Sequence, residues 1–150
     1  MTSQIIASIA QWFKKAKPEP TTNDLTTQMG VHCEEVVEML DTLSGTTPQM
    51  TDIINTARRS LHALAEELKN TNTAFVHTSH KQDFLDSLCD QIVTATGVGV
   101  YAGFPIVAAL AEVDASNHSK FDENGNPILN AQGKIMKGPN YFKARLQQFV

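Results

Sequence analysis

Apolar residues three and four positions apart recur along most of this chain, and clusters of helix breakers divide them into segments. Ile5, Ile9, Trp12, Phe13 and Ala16 make the first stripe, and the Lys17-Pro18-Glu19-Pro20 run ends it, because each proline removes a donor and biases its predecessor away from the helical region. A second stripe, Leu25, Met29, Val36, Leu40 and Leu43 with the small Cys33, closes at Ser44-Gly45. Thr47-Pro48 reads as cap and first residue of a third helix through Ile53, Ile54, Ala57, Leu61, Leu64 and Leu68. A fourth is predicted to begin between Ser79 and Gln82 and to run through Phe84, Leu85, Leu88, Ile92 and Ala95. Glycine costs about 1 kcal/mol per helical position. Gly97, Gly99, Gly103 and Pro105 therefore predict a kink or break, with helix resuming at Pro105 through Val107, Leu110, Ala111 and Val113. Turn signals in Asp122-Glu-Asn-Gly-Asn-Pro and Asn130-Ala-Gln-Gly predict a small β-hairpin or ordered loop over residues 121–137. The expected fold class is all-α, a four-helix-bundle-type module with a short C-terminal β-hairpin segment, in a single domain over residues 1–150.

Composition narrows the partners. At 150 residues, 41% hydrophobic and 19% charged, with a mean hydropathy of -0.21, the chain is globular. No apolar run approaches the roughly 20 residues that cross a bilayer, and no basic segment precedes the apolar N-terminus. The expectation is a cytoplasmic protein with no membrane partner. Twelve basic against sixteen acidic residues give a net charge of -4, too acidic for a chain that grips nucleic acid electrostatically. Cys33 and Cys89 fall inside helical segments, which suits reduced thiols rather than a disulfide framework.

The acids are unevenly placed. Glu34, Glu35 and Glu38 share one sector of the second helix, and Asp83, Asp86 and Asp90 share one face of the fourth, opposite Phe84, Leu88 and Ile92. Without these six, ten acidic residues stand against twelve basic ones. Like charges four apart destabilise a helix by a few tenths of a kcal/mol, so two acidic faces brought together in a bundle call for a cation, and oxygen-only donors select Mg²⁺ or Mn²⁺. The alternative is two solvated surface faces. Other signals carry less: His77 and His80 have only Cys89 nearby as a further soft zinc ligand, and Gly97-Val-Gly99 follows no strand, which excludes a phosphate-loop reading.

Gln28-Met-Gly-Val-His-Cys-Glu34-Glu35-Val-Val-Glu38-Met-Leu resembles the EExxE metal motif of the MazG-like all-α nucleoside triphosphate pyrophosphohydrolases, and Asp86-Ser-Leu-Cys-Asp90 resembles their second motif. Glu112-Val-Asp-Ala-Ser-Asn117-His-Ser-Lys120-Phe, then Gly133-Lys134 and Lys137-Gly138-Pro139-Asn-Tyr141-Phe, is similar to the substrate-closing segment of phage members, including phosphoribosyl-ATP pyrophosphohydrolase-like proteins and the MazZ branch. The likeness spans about residues 10–145. It departs in one place: the usual second motif is ExxD, whereas Ser87 stands three before Asp90, so Asp86 one position earlier would supply the extra ligand.

The resemblance implies a homodimeric or homotetrameric enzyme, in the host cytoplasm if phage-encoded, that hydrolyses a (deoxy)nucleoside triphosphate between the α and β phosphates. dGTP is the specific substrate expected from the MazZ branch, and a phosphoribosyl-ATP-type substrate is the alternative. It implies Mg²⁺ or Mn²⁺ held by Glu34, Glu35, Glu38, Asp86 and Asp90, with Glu35 or Glu38 orienting the attacking water and Asp83 outside the ligand set. Lys120, Lys134 and Lys137 in a tail over residues 118–150 would close on the polyphosphate, or else form a solvated loop. Asn117 would contact sugar or phosphate and Tyr141 would stack or hydrogen-bond. Trp12 would flank the base, or else belong to the core with Ile5, Ile9 and Phe13. The rival from another class is a non-catalytic helical interaction module.

Overall fold

The computed structural model describes residues 2–130 and 135–150. Of the described residues 68% are helical, in five α-helices, α1 (Thr2–Ala16), α2 (Thr22–Asp41), α3 (Pro48–Asn70), α4 (Lys81–Tyr101) and α5 (Ile106–His118), and two short helical turns, Thr78–His80 and Leu146–Phe149. An all-α fold is what the periodicity predicts. Local chemistry sets the boundaries. Thr21 and Asp24 cap α2 reciprocally, the Asp24 amide donating to Thr21 Oγ1 at 3.2 Å and the Thr21 amide to Asp24 Oδ2 at 2.8 Å. Thr47 accepts from the Met50 amide at 3.1 Å, with Pro48 opening α3.

Two expectations need correction. The break expected between Gly97 and Pro105 is present but narrower: α4 runs on through Gly97 and Gly99, and helix is lost only over residues 102–105, where Gly103 takes φ +80°, resuming at Ile106. A Cβ on Gly99 would lie 3.0 Å from the Ile106 side chain, so this glycine lets the first residue of α5 lie against α4. The β-hairpin is not supported: the described residues contain no strand, only an isolated antiparallel bridge between Leu129 and Ile135. Among the described residues the arms meet only there, the Met136 amide donating to the Ile128 carbonyl at 2.7 Å, and the turn is held by other bonds. Asp122 Oδ1 accepts from the amides of Asn124 and Asn126, Pro127 has no amide to donate, and Gly138 bonds to Lys120.

The chain divides into two compact units, residues Pro20–Lys81, and Met1–Glu19 with Gln82–Val150. In the first, α2 and α3 pack antiparallel, burying Thr26, Gly30 and Val37 against Ala65 and Leu68. A Cβ on Gly30 would meet the Ala65 carbonyl oxygen at 2.7 Å, so glycine permits the close crossing. In the second, α1 packs on α5, and α5 on the turn Leu146–Phe149. Its core is Trp12, Ala16 and Phe121, with Ile135 against them. Among the described residues no single helix is long and apolar enough to cross a membrane.

Candidate functional site

In the α2–α3 unit, the three glutamates have different surroundings. Glu34 is half-buried and paired with the Lys69 ammonium, which also holds Glu66 at 2.6 Å. Glu34, and then Glu66, raise the Lys69 pKa above its usual 10.5, while Lys69 holds the Glu66 carboxyl below its usual 4.5. At the last residue of α2, Asp41 takes the Arg58 guanidinium at 2.9 Å. These pairs tie α2 to α3, so the ammonium occupies the carboxylate expected to bind metal. Glu35 and Glu38 are exposed, and no hydrogen bond or ion pair among the described residues engages either carboxylate.

On α4, Asp86 and Asp90 are likewise exposed and unengaged, whereas Asp83 is engaged. The expected metal residues therefore fall as one free pair in each unit. Among the described residues of each unit, no group of three or more His, Cys, Asp or Glu side chains gathers around a point that would hold an ion. The donor chemistry still fits Mg²⁺, which keeps several waters and takes one or two protein carboxylates plus substrate phosphate oxygens.

The two tail motifs do meet. The Gly138 amide donates to the Lys120 carbonyl at 2.9 Å, the Ser116 hydroxyl to the Phe142 carbonyl at 2.8 Å, and the Phe142 amide to Ser119 Oγ at 3.1 Å. Lys120 Nζ donates to Asn117 Oδ1 at 2.8 Å and lies 5.8 Å from the Trp12 ring centroid, and Lys137 Nζ lies 4.7 Å from the Tyr141 ring. Lys134 lies outside the described residues. Farther along, the Arg145 amide and then its guanidinium hold the Glu112 carboxyl below its usual 4.5.

Trp12 is a core side chain. Its ring stacks on Phe121 at 5.6 Å, Phe13 meets it edge-on at 5.0 Å, and its Nε1 donates to the Asn117 carbonyl at 2.8 Å. Periodicity places it on the buried stripe of α1; the partner from residue 121 has no local sequence signal.

Sequence reasoning also missed a polar cluster. Ser8 Oγ lies 3.0 Å from His118 Nε2, and Asp114 Oδ1 lies 3.5 Å from the same nitrogen. Asp114 and His118 are four apart on α5, a spacing that signals proximity, but Ser8 is 110 residues away in sequence from His118. The arrangement is not a nucleophile relay, which needs the acid on Nδ1 and the hydroxyl on Nε2. No protein-family model matches the chain, and neither the curated proteins nor the solved structures yield a match.

Proposed function

We propose that this protein is a metal-dependent nucleoside triphosphate pyrophosphohydrolase that cleaves a (deoxy)nucleoside triphosphate, dGTP foremost, between the α and β phosphates. The observation that carries the reading is the junction of residues 116–120 with 137–142, where the hydrogen bond from Gly138 to Lys120 sets Lys137 beside a second lysine. Two lysine-bearing segments joined at one backbone junction suit a polyphosphate, which offers several anionic oxygens close together. Glu35 with Glu38, and Asp86 with Asp90, are carboxylate pairs with no cation upon them among the described residues. These residues would hold Mg²⁺, which would supply neutralisation of phosphate charge and a more acidic bound water. In the first unit the role proposed for Glu38 or Glu35 is to orient the attacking water, and in the second the role proposed for Lys120 and Lys137 is to hold phosphate oxygens. Asn117 is fixed at both ends, its carbonyl by Trp12 and its side chain by Lys120, which positions the lysine.

The rival reading, a non-catalytic helical interaction module, is favoured by α4, whose Leu85, Leu88, Ile92 and Val93 are all more than a third exposed. A homodimer or homotetramer would make its contact along Leu85, Leu88 and Ile92, with Val93 on the side of the helix nearest the acids, one turn from Asp90. Incubating the protein and Mg²⁺ with each common ribo- and deoxynucleoside triphosphate decides between the readings. Monophosphate with pyrophosphate is the expected product pair, with dGTP fastest; no turnover of any of them leaves the interaction module.

A further inference from the structure

A small cleft of about 290 Å³ opens on the α2–α3 unit. Val37 and Asp41 of α2 and Arg58, Arg59, His62 and Ala63 of α3 line it. His62 stands four residues after Arg58 and three after Arg59, so the three basic side chains share one side of the helix. Two ties between the helices bound the place: Asp41 holds Arg58 at 2.9 Å, and Lys69 holds Glu34 farther along the seam. The one carboxylate in the lining is thus already taken by Arg58, and a second guanidinium and an imidazole stand beside it. Arg59 is exposed; its Nη2 lies 3.4 Å from Thr56 Oγ1, and no ion pair among the described residues engages it. The surplus of donors and positive charge attracts an anion.

We propose that this cleft is a phosphate site, in which the Arg59 guanidinium and a ring N–H of His62 grip the pyrophosphoryl end of the nucleotide. The inference rests on the pyrophosphohydrolase reading above and adds to it residues of α3. A cleft below the roughly 300 Å³ at which pockets begin to seat whole small ligands has room for phosphate groups, not for a base and sugar as well. The planar guanidinium matches two oxygens of one phosphate, and an imidazole carries an N–H in either protonation state. Glu38 follows Val37 directly and precedes Asp41 by three, which sets it at the rim of the same cleft. The α2–α3 unit therefore has a phosphate grip of its own beside its glutamates, whereas Lys120 and Lys137 belong to the other unit.

Calorimetric titration of the intact chain with inorganic pyrophosphate, without added metal, tests the cleft apart from turnover. Arg59→Gln and His62→Gln, both at exposed positions, should each weaken binding by about tenfold or more while circular dichroism stays unchanged. Lys14→Gln, exposed on α1, is the control for diffuse charge and should leave the affinity as it is. Asp41→Asn removes the one carboxylate of the lining and frees Arg58, so it should tighten pyrophosphate by about threefold or more. A purely structural role for the Asp41–Arg58 pair would give no such gain. Unchanged affinity in Arg59→Gln or His62→Gln, or equal weakening by Lys14→Gln, overturns the proposal. So does binding that is lost in Lys120→Ala instead, which would put the pyrophosphate on the tail. Arg59-dependent pyrophosphate binding by a protein that cleaves no nucleotide would uphold the cleft and sink the hydrolase; nucleotide cleavage with pyrophosphate binding indifferent to Arg59 would do the reverse.

Discussion

The main-chain amide of Gly138 donates to the main-chain carbonyl of Lys120 at 2.9 Å, and a Cβ on Gly138 would sit 2.5 Å from the Phe121 carbonyl oxygen. Backbone atoms cannot swing aside as a side-chain tip does, so Gly138→Ala must push the two segments apart. The misfit is local to the junction, with a cost of about 1–3 kcal/mol. Expected is a kcat/KM for nucleotide at least about tenfold lower, with helicity by circular dichroism unchanged. Full activity in Gly138→Ala would separate the junction from the chemistry.

Phe121 closes the other side of this turn. It is 4% exposed and stacks on Trp12, so Phe121→Ala should cost about 3–5 kcal/mol and shift Trp12 emission to the red. Deleting residues 118–150 removes the same ring, so that truncation is expected to destabilise the α1–α5 packing as well as the tail. A truncated chain that melts as the full chain does would show that the stack carries little stability.

The acid limb of stability follows from the carboxyls that anchor the tail. The Arg145 amide, then its guanidinium, depress Glu112 from 4.5, and the Asn126 amide, opposed by desolvation, is the leading cause that depresses Asp122 from 3.8. A depressed folded-state pKa contributes stability that is complete above the unfolded value and lost as the pH falls through the folded one. Tail anchoring is therefore full above 4.5 and should weaken below it. Proteolysis near Arg145, followed against pH, is expected to accelerate only on that acid side, and Glu112→Gln should be fast at every pH. A wild-type cleavage rate that is flat across this range would contradict the assignment.

Lys69 holds Glu34 away from any ion. Lys69→Met keeps the aliphatic stem and removes the ammonium, leaving Glu34 free beside Glu35 and Glu38. If α2 binds Mg²⁺, its affinity for the ion should rise by about threefold to tenfold, as one more carboxylate joins the ligands. Isothermal titration with Mg²⁺ measures this, and unchanged affinity would take the α2 acids out of the metal site.

Much of the fold was legible because its signals are local. The Thr21 and Thr47 caps, the Pro48 start and the apolar stripes each act within a turn of the chain, and α1 to α3 fall close to where they point. Gly97 and Gly99 misled because propensity is a weak cost that packing overrides, and the Ile106 contact at Gly99 is invisible in sequence. The hairpin signal at Asp122–Pro127 was a real turn, but turn chemistry does not decide whether its arms pair. At the candidate site, spacing located the acids without revealing that Lys69, 35 residues beyond Glu34, takes one of them. The Ser8, Asp114 and His118 cluster was hidden for the same reason, since only folding brings α1 onto α5.

The rate of pyrophosphate release from dGTP with saturating Mg²⁺, compared among wild type, Glu38→Gln and Asp90→Asn, tests the central claim most directly. Each substitution keeps the side-chain volume and removes one metal-binding charge from an exposed site, so folding should be unaffected. The expected result is steady release by the wild type and a loss of about a hundredfold or more in both variants, roughly 2.7 kcal/mol of transition-state stabilisation. Release by either variant at the wild-type rate, or no release by the wild type, would contradict the account.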